Sequence, residues 1–244
     1  MIIYPAMDLI EGQCVRLLKG DFDTKTVYGI NPFEQAQAFK NQGAEWLHIV
    51  DLDGAKAGKP QQTKLINDIA NKVGLNIQTG GGLRKAKEIK TMIAAGINRV
   101  VIGSLAIERP ETIKNLFDDL GPEAITLALD VTFTDAQAFI ATNGWQKTSG
   151  VTLDEALVQF YNMGAKHLLI TDISRDGLLI GPNVTLYKGL QDKFPCLDIQ
   201  VSGGVSSLAD LKNLSAINAK GVIIGKALYE NKFSLAEALN IRGN

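Results

Sequence analysis

The chain has 244 residues, a formal net charge of −1, and 45% hydrophobic and 21% charged residues. That balance is ordinary for a globular enzyme and lacks the basic stripe of a nucleic-acid-binding domain. Two cysteines (Cys14, Cys196) and two histidines (His48, His167) are too few for a disulfide framework or a His-rich metal site, and no cluster has ligand spacing, so no metal is expected.

In chain order, strand-like apolar runs cover residues 2–7, 46–50, 76–79, 99–102, 125–129, 167–171, 199–201 and 221–224. Continuous apolarity fits parallel strands buried on both faces. The first helix follows Asn31-Pro32 and runs over 33–39, an asparagine cap with proline at the first helical position. Further helical segments cover 64–72, 87–95, 111–120, 153–163, 186–193, 208–214 and 235–239, and Gly43, Gly74, Gly96 and Gly164 stand where a left-handed helix cap favours glycine. Eight βα units of roughly 30 residues predict an α/β protein, a (β/α)8 barrel forming one domain over 1–244. A doubly wound open sheet is the structural alternative. The longest irregular stretches, 9–30, 52–61, 131–150 and 173–182, all follow strand C-termini, the active-site face of a barrel. No apolar run approaches the ~18 residues of a membrane span, and no basic segment precedes an apolar one at the start, so a cytoplasmic protein with no membrane partner is expected.

The same signals occur twice. Asp8 and Asp130, Gly81 and Gly203, and Gly103 and Gly225 each lie 122 positions apart (8 to 130, 81 to 203, 103 to 225), and Asp51 and Asp172 lie 121 apart. This marks an internal two-fold repeat of half-barrels, about 1–122 and 123–244, and a repeat that closes on itself removes the open edges of a sheet.

Asp8 and Asp130 each follow an apolar strand and should project into the barrel mouth from opposite sides, as one acid and one base. Gly81-Gly82 and Gly103-Ser104 in the first half, and Ser202-Gly203-Gly204 and Gly225-Lys226 in the second, are turns whose backbone N–H groups can approach an anion. A phosphate at each end of the substrate is the expectation. Arg16 on the first loop reads as a surface arginine or a substrate clamp, and Trp145 as loop packing or a stacking platform for a planar heterocycle. Asp51 reads as scaffold. In Thr171-Asp172-Ile173-Ser174-Arg175-Asp176-Gly177, residues Thr171, Asp172, Asp176 and Gly177 are candidates for substrate contact, with scaffold equally open for Asp172 and Asp176. His48 and His167, at matching strand positions in the repeat, read as packing residues, and both cysteines as buried thiols.

Pro5-Ala6-Met7-Asp8-Leu9, Gly12-Gln13-Cys14-Val15-Arg16-Leu17 and Gly20-Asp21 together resemble the N-terminal signature of the phosphoribosylformimino-aminoimidazole carboxamide ribotide isomerases, aldose–ketose isomerases of histidine biosynthesis. Gly80-Gly81-Gly82-Leu83-Arg84, Gly144-Trp145, the Thr171–Gly177 segment, Gly181-Pro182-Asn183 and Ser202-Gly203-Gly204-Val205 extend the resemblance over essentially the whole chain. Met7 and Lys19 depart from the family's usual isoleucine and glutamine. The resemblance implies a (β/α)8 barrel, a bisphosphorylated ribotide substrate, an Amadori rearrangement without cofactor, and Asp8 as base with Asp130 as acid; a monomer is expected. Three rivals stand beside it. The cyclase subunit of the same pathway typically has a cysteine before the first aspartate, unlike Ala6-Met7-Asp8-Leu9. A bifunctional isomerase acting also on phosphoribosylanthranilate needs the same acid and base. A non-catalytic sugar-phosphate-binding barrel leaves the paired acids without a task.

Overall fold

A computed structural model describes residues 1–18, 21–135, 137–142, 144–145 and 147–241. Lys19 and Gly20, quoted above, lie outside them.

Eight parallel strands close into a barrel: β1 (Ile2–Ile10), β4 (Trp46–Asp51), β5 (Asn76–Gly80), β6 (Arg99–Ile102), β7 (Ile125–Thr134), β10 (His167–Asp172), β11 (Asp198–Ser202) and β12 (Gly221–Ile224). Neighbours pair in that order, β12 pairs with β1, and the β7–β10 pairing completes the ring. The open-sheet alternative therefore falls. Helices α1 (Pro32–Asn41), α3 (Thr63–Val73), α4 (Ala86–Ala94), α6 (Pro110–Leu120), α7 (Leu153–Asn162), α8 (Val184–Lys193), α9 (Leu208–Ala216) and α11 (Leu235–Leu239) follow the strands; α2 (Leu52–Ala57), α5 (Ser104–Glu108) and α10 (Lys226–Tyr229) are short additions at strand ends.

The expected helix signals hold. Asn31 accepts from Phe33 N at the start of α1, and Gly74 caps α3 in the left-handed region. Capping boxes at Thr152/Glu155, Ser207/Asp210 and Ser234/Glu237 open α7, α9 and α11.

Alternation along the strands separates two interiors. Ile3, Met7, Leu47, Ile49, Leu127 and Leu129 belong to the large core between barrel and helices, where they meet residues such as Ala36, Phe39, Ile66 and Ile69. Each such aliphatic, removed from water, contributes roughly 1.5–3 kcal/mol. The inner face is different. Tyr4, Ala6, Leu169 and Ile223 form a small apolar cluster there, beside the buried polar residues Gln78, Arg99, Thr126 and Gln200. At the bottom, Arg99 donates to Tyr4 Oη at 3.1 Å and lies 4.5 Å over the Trp46 ring.

Three expectations need correction. The stretches 9–30 and 131–150 are not irregular. β1 runs on into β2 (Gln13–Leu18) and β3 (Asp21–Val27), and β7 into β8 (Gln137–Thr142) and β9 (Lys147–Thr152), as antiparallel excursions above the barrel. Half-solvated strands carry mixed polar sequence, which hides them among loops. The histidines do not occupy matching positions either. His48 pairs with Gln78, whereas Gln200 pairs with Leu169, so Leu169 is the counterpart of His48. His167 lies one layer lower, its ring held between Glu123 and Asp198. Cys14 is buried, but Cys196 is exposed.

Candidate active site

A cavity of about 790 Å³ opens at the C-terminal end of the barrel, within the range of ligand pockets. Three carboxylates line it: Asp8, Asp130 and Asp176. Asp8 projects from β1 and Asp130 from β7, so each half-barrel supplies one wall.

The two acids have different partners. Arg16, carried in on β2, donates from Nη1 to Asp8 Oδ2 at 3.1 Å and from Nη2 to both oxygens of Asp176 at 2.7 and 2.8 Å. Asp130 accepts the indole N–H of Trp145 at 2.8 Å. Burial pushes both carboxyls above the usual carboxylate range. Against that, the Arg16 charge pulls Asp8 back down, whereas Asp130 is opposed only by hydrogen bonds from Trp145 and Thr171; the Asp176 charge raises both. A cation favours the ionised form of its neighbour and neutral donors do so more weakly. The guanidinium thus favours the ionised form at Asp8 more than the neutral donors do at Asp130.

Trp145 sits in the turn between β8 and β9 at φ 70°, a conformation that a bulky residue adopts rarely. The turn folds the indole back onto the acid. The sequence reading of Trp145 as packing or platform did not foresee this bond.

The glycine turns fall where expected. Gly81, Gly82, Gly103 and Ser104 line the main cavity; Gly203, Gly204, Gly225 and Lys226, with Gly177 and Ser202, line an adjoining cleft, and Arg16 and Asp176 stand between the two. Their glycines also have a packing cause. A Cβ on Gly81 would lie 2.1 Å from Asp51 O, and one on Gly82 2.3 Å from Gly54 O. In the other half, a Cβ on Gly203 would lie 2.9 Å from Asp172 O, and one on Gly204 2.3 Å from Gly181 O. Both halves thus press one loop against the next turn. Asp51 and Asp172 hold those loops. Asp51 accepts from the backbone N–H groups of Gly54, Gln61 and Gln62, and Asp172 from Ser174 N, Ser174 Oγ and Asn183 Nδ2. Asp172 is fully buried and falls on the scaffold side of its two readings, while Thr171 and Asp176 face the cavity.

Lys56, Arg84, Lys147 and His48 also line the cavity, and none was among the candidate substrate contacts read from the sequence. Arg84 lies two residues past the glycine turn, a usable signal for an anion site. His48 was hidden by its position inside an apolar run.

Residues 2–234 match the family model described as histidine biosynthesis protein. The chain belongs to that family. Similar curated proteins cover nearly all of it. One from Actinobacillus succinogenes is 48% identical over 98% of this chain and 96% of its own length. Others from Elusimicrobium minutum and Francisella philomiragia are also 48% identical, over 99% and 98% of this chain and 100% and 99% of their own. All three are named 1-(5-phosphoribosyl)-5-((5-phosphoribosylamino)methylideneamino) imidazole-4-carboxamide isomerase.

Proposed function

We propose that this chain is the aldose–ketose isomerase of histidine biosynthesis, converting the aminoaldose ribotide named in its relatives to the aminoketose. The observation that carries the mechanism is the unlike pair of acids in one cavity, Asp8 beside a guanidinium and Asp130 beside neutral donors. Asp130 protonates the ribose ring oxygen, the C1–O bond breaks, and a protonated Schiff base forms between C1 and the amine. Asp8 removes the proton from C2; the electron pair moves into a C1–C2 double bond and the iminium nitrogen becomes neutral. The enolamine then tautomerises, losing its hydroxyl proton and gaining one at C1, to leave the ketone at C2. Every step is a proton transfer or a bond shift within the substrate, so the chemistry calls on no cofactor or metal.

The two glycine-lined regions suit the two phosphates, and holding both ends orients the reacting carbons between Asp8 and Asp130. The cyclase reading is not favoured by the names of the relatives. Activity on phosphoribosylanthranilate is the surviving alternative. The relatives' names give the carboxamide ribotide alone, and we assign the cavity to it. Unpaired Cys14 and Cys196 suit a reducing, cytoplasmic setting, the net charge of −1 suits a protein without a nucleic-acid partner, and a monomer without a membrane partner completes the proposal. Among the described residues no helix is long and apolar enough to cross a membrane.

The test is a turnover assay on the aminoaldose ribotide beside phosphoribosylanthranilate. Efficient turnover of the first and negligible turnover of the second is the expected result. Comparable efficiencies would replace this assignment with the bifunctional one.

A further inference from the structure

Below the two acids and beneath the cavity-lining His48 lies a hydrogen-bonded set of side chains from β4, β5, β6, β7 and, across the barrel, β11. Gln78 is its hub. Its Oε1 lies 3.0 Å from Thr126 Oγ1, 2.9 Å from Gln200 Nε2 and 3.4 Å from Arg99 Nη1. Its Nε2 lies 2.7 Å from Gln200 Oε1 and 3.1 Å from His48 Nδ1. Arginine can only donate, so the amide oxygen of Gln78 must be the atom that faces Arg99. The NH2 group then faces Gln200 and His48, and it has one hydrogen for each. A ring nitrogen that accepts from an amide carries no proton, so the single hydrogen of a neutral His48 must sit on Nε2.

No protein acceptor meets Nε2 among the described residues, and the ring lines the cavity. Packing alone does not ask for an imidazole here, since the repeat-related position in the other half is Leu169. Burial first, and then the Arg16 charge, push the His48 pKa down to about 4, so the ring is neutral at ordinary pH. His48 also sits beside Ala6 in the register, one inward position below Asp8 on the adjacent strand.

We propose that Gln78 is a positioning residue that fixes His48 as its neutral Nε2–H tautomer, and that this N–H donates to a sugar oxygen of the bound substrate, turning C2 towards Asp8. No proton leaves the ring. The imidazole is an oriented neutral donor, and its tautomer is set by a glutamine pair whose members are 122 positions apart in the repeat. Only the identity of the substrate rests on the isomerase reading; the tautomer assignment does not.

The chain has two histidines, so ring 15N NMR of the full-length, histidine-labelled protein is directly interpretable, with His167→Asn assigning the His48 signals. The expected spectrum at about pH 7.5 shows His48 as the Nε2–H form, with a shift at Nε2 when the ribotide saturates the site. Gln78→Glu leaves only acceptors facing Nδ1, with Arg99 beside the new carboxylate. It should invert the tautomer to Nδ1–H and lower kcat at least ~10-fold with little change in KM. If thermal melting shows that Gln78→Glu does not fold, Gln78→Leu, which removes the donor, should give a mixed tautomer and a smaller loss of kcat. A wild-type His48 found as Nδ1–H or as a cation overturns the proposal. So does a saturating ribotide that leaves Nε2 unmoved, or an inverted tautomer with wild-type kcat. Wild-type protein that binds the ribotide without turning it over would instead sink the isomerase reading, while the Nε2 shift would still report on His48.

Discussion

Trp145 donates its indole N–H to Oδ2 of Asp130 at 2.8 Å, the counterpart of the Arg16 bond to Asp8 on the opposite wall. Each half-barrel contributes an acid at equivalent places, and each acid receives its partner from the hairpin that follows its strand. The partners differ in charge, and that difference breaks the symmetry of the repeat. Identical environments would give two acids of equal intrinsic strength, with nothing in the protein to assign acid duty to one and base duty to the other.

Trp145→Phe keeps the ring and removes the donor. The indole bond holds the Asp130 pKa down, so the variant's Asp130 should titrate higher. Because the acid must be protonated to act, the alkaline limb of the kcat/KM profile should move to higher pH while the acid limb stays in place. Turnover should fall by roughly 10-fold as the orientation of Asp130 loosens. Movement of the acid limb instead would make Asp130 the base.

Asp130→Asn should lose at least ~10²-fold in turnover and gain stability at neutral pH. Burial raises the native pKa of Asp130 above its unfolded value. Between those two values the folded state binds more protons than the unfolded one. Stability therefore falls as pH rises through that window, and the cost is fully present above the native pKa. Asparagine never ionises and escapes it. The variant should melt higher near pH 8, by about 2–4 °C for each kcal/mol relieved, and the gap should close on acidification. Differential scanning calorimetry across pH checks the sign. Retained turnover would move the acid role elsewhere in the cavity, with Asp176 the remaining carboxylate on its lining.

The barrel was legible because its eight strands are buried on both faces and read as mostly apolar runs, and because a repeat favoured closure over an open sheet. The excursions over residues 13–27 and 137–152 were not, since one solvated face dilutes the pattern. Asp8 and Asp130 could be picked out by position alone, at the ends of apolar runs. What distinguishes them could not, because the pairing of Arg16 with Asp8 and of Trp145 with Asp130 depends on hairpins that the mixed polar sequence conceals. The glycine turns were recognised for their room to approach an anion; their need for glycine to avoid neighbouring loop backbone is visible only in three dimensions.

That packing cause gives a separable prediction. Gly204→Ala places a Cβ 2.3 Å from Gly181 O on backbone at φ 91°, and Gly81→Ala places one 2.1 Å from Asp51 O at φ 120°. Each should destabilise by at least about 1–3 kcal/mol through strain alone. Gly103 has no atom closer than 3.9 Å to such a Cβ, so Gly103→Ala should keep more of its stability while weakening the fit of a phosphate to the backbone. Urea unfolding measured beside inorganic phosphate binding distinguishes them. A Gly103→Ala protein that is as unstable as Gly81→Ala would show that both positions are chiefly structural.

Arg16→Met should have the complementary effect to Trp145→Phe. The Arg16 charge holds the Asp8 pKa down against burial, and the same guanidinium neutralises Asp176. Methionine keeps most of the stem volume and removes the charge. Asp8 should then titrate higher still. A base must be ionised to act, so less of it is available at a given pH, and the acid limb of kcat/KM should move up while the alkaline limb stays. Arg16→Lys should recover only part of this, because an ammonium cannot span two carboxylates as a guanidinium does. The loss at neutral pH should be largest for methionine, at least ~10²-fold, since base ionisation and the orientation of two carboxylates fail together. Taken with Trp145→Phe, the two variants should shift opposite limbs of one bell. Both moving the same limb would show that Asp8 and Asp130 titrate as a coupled pair, with no fixed division into base and acid.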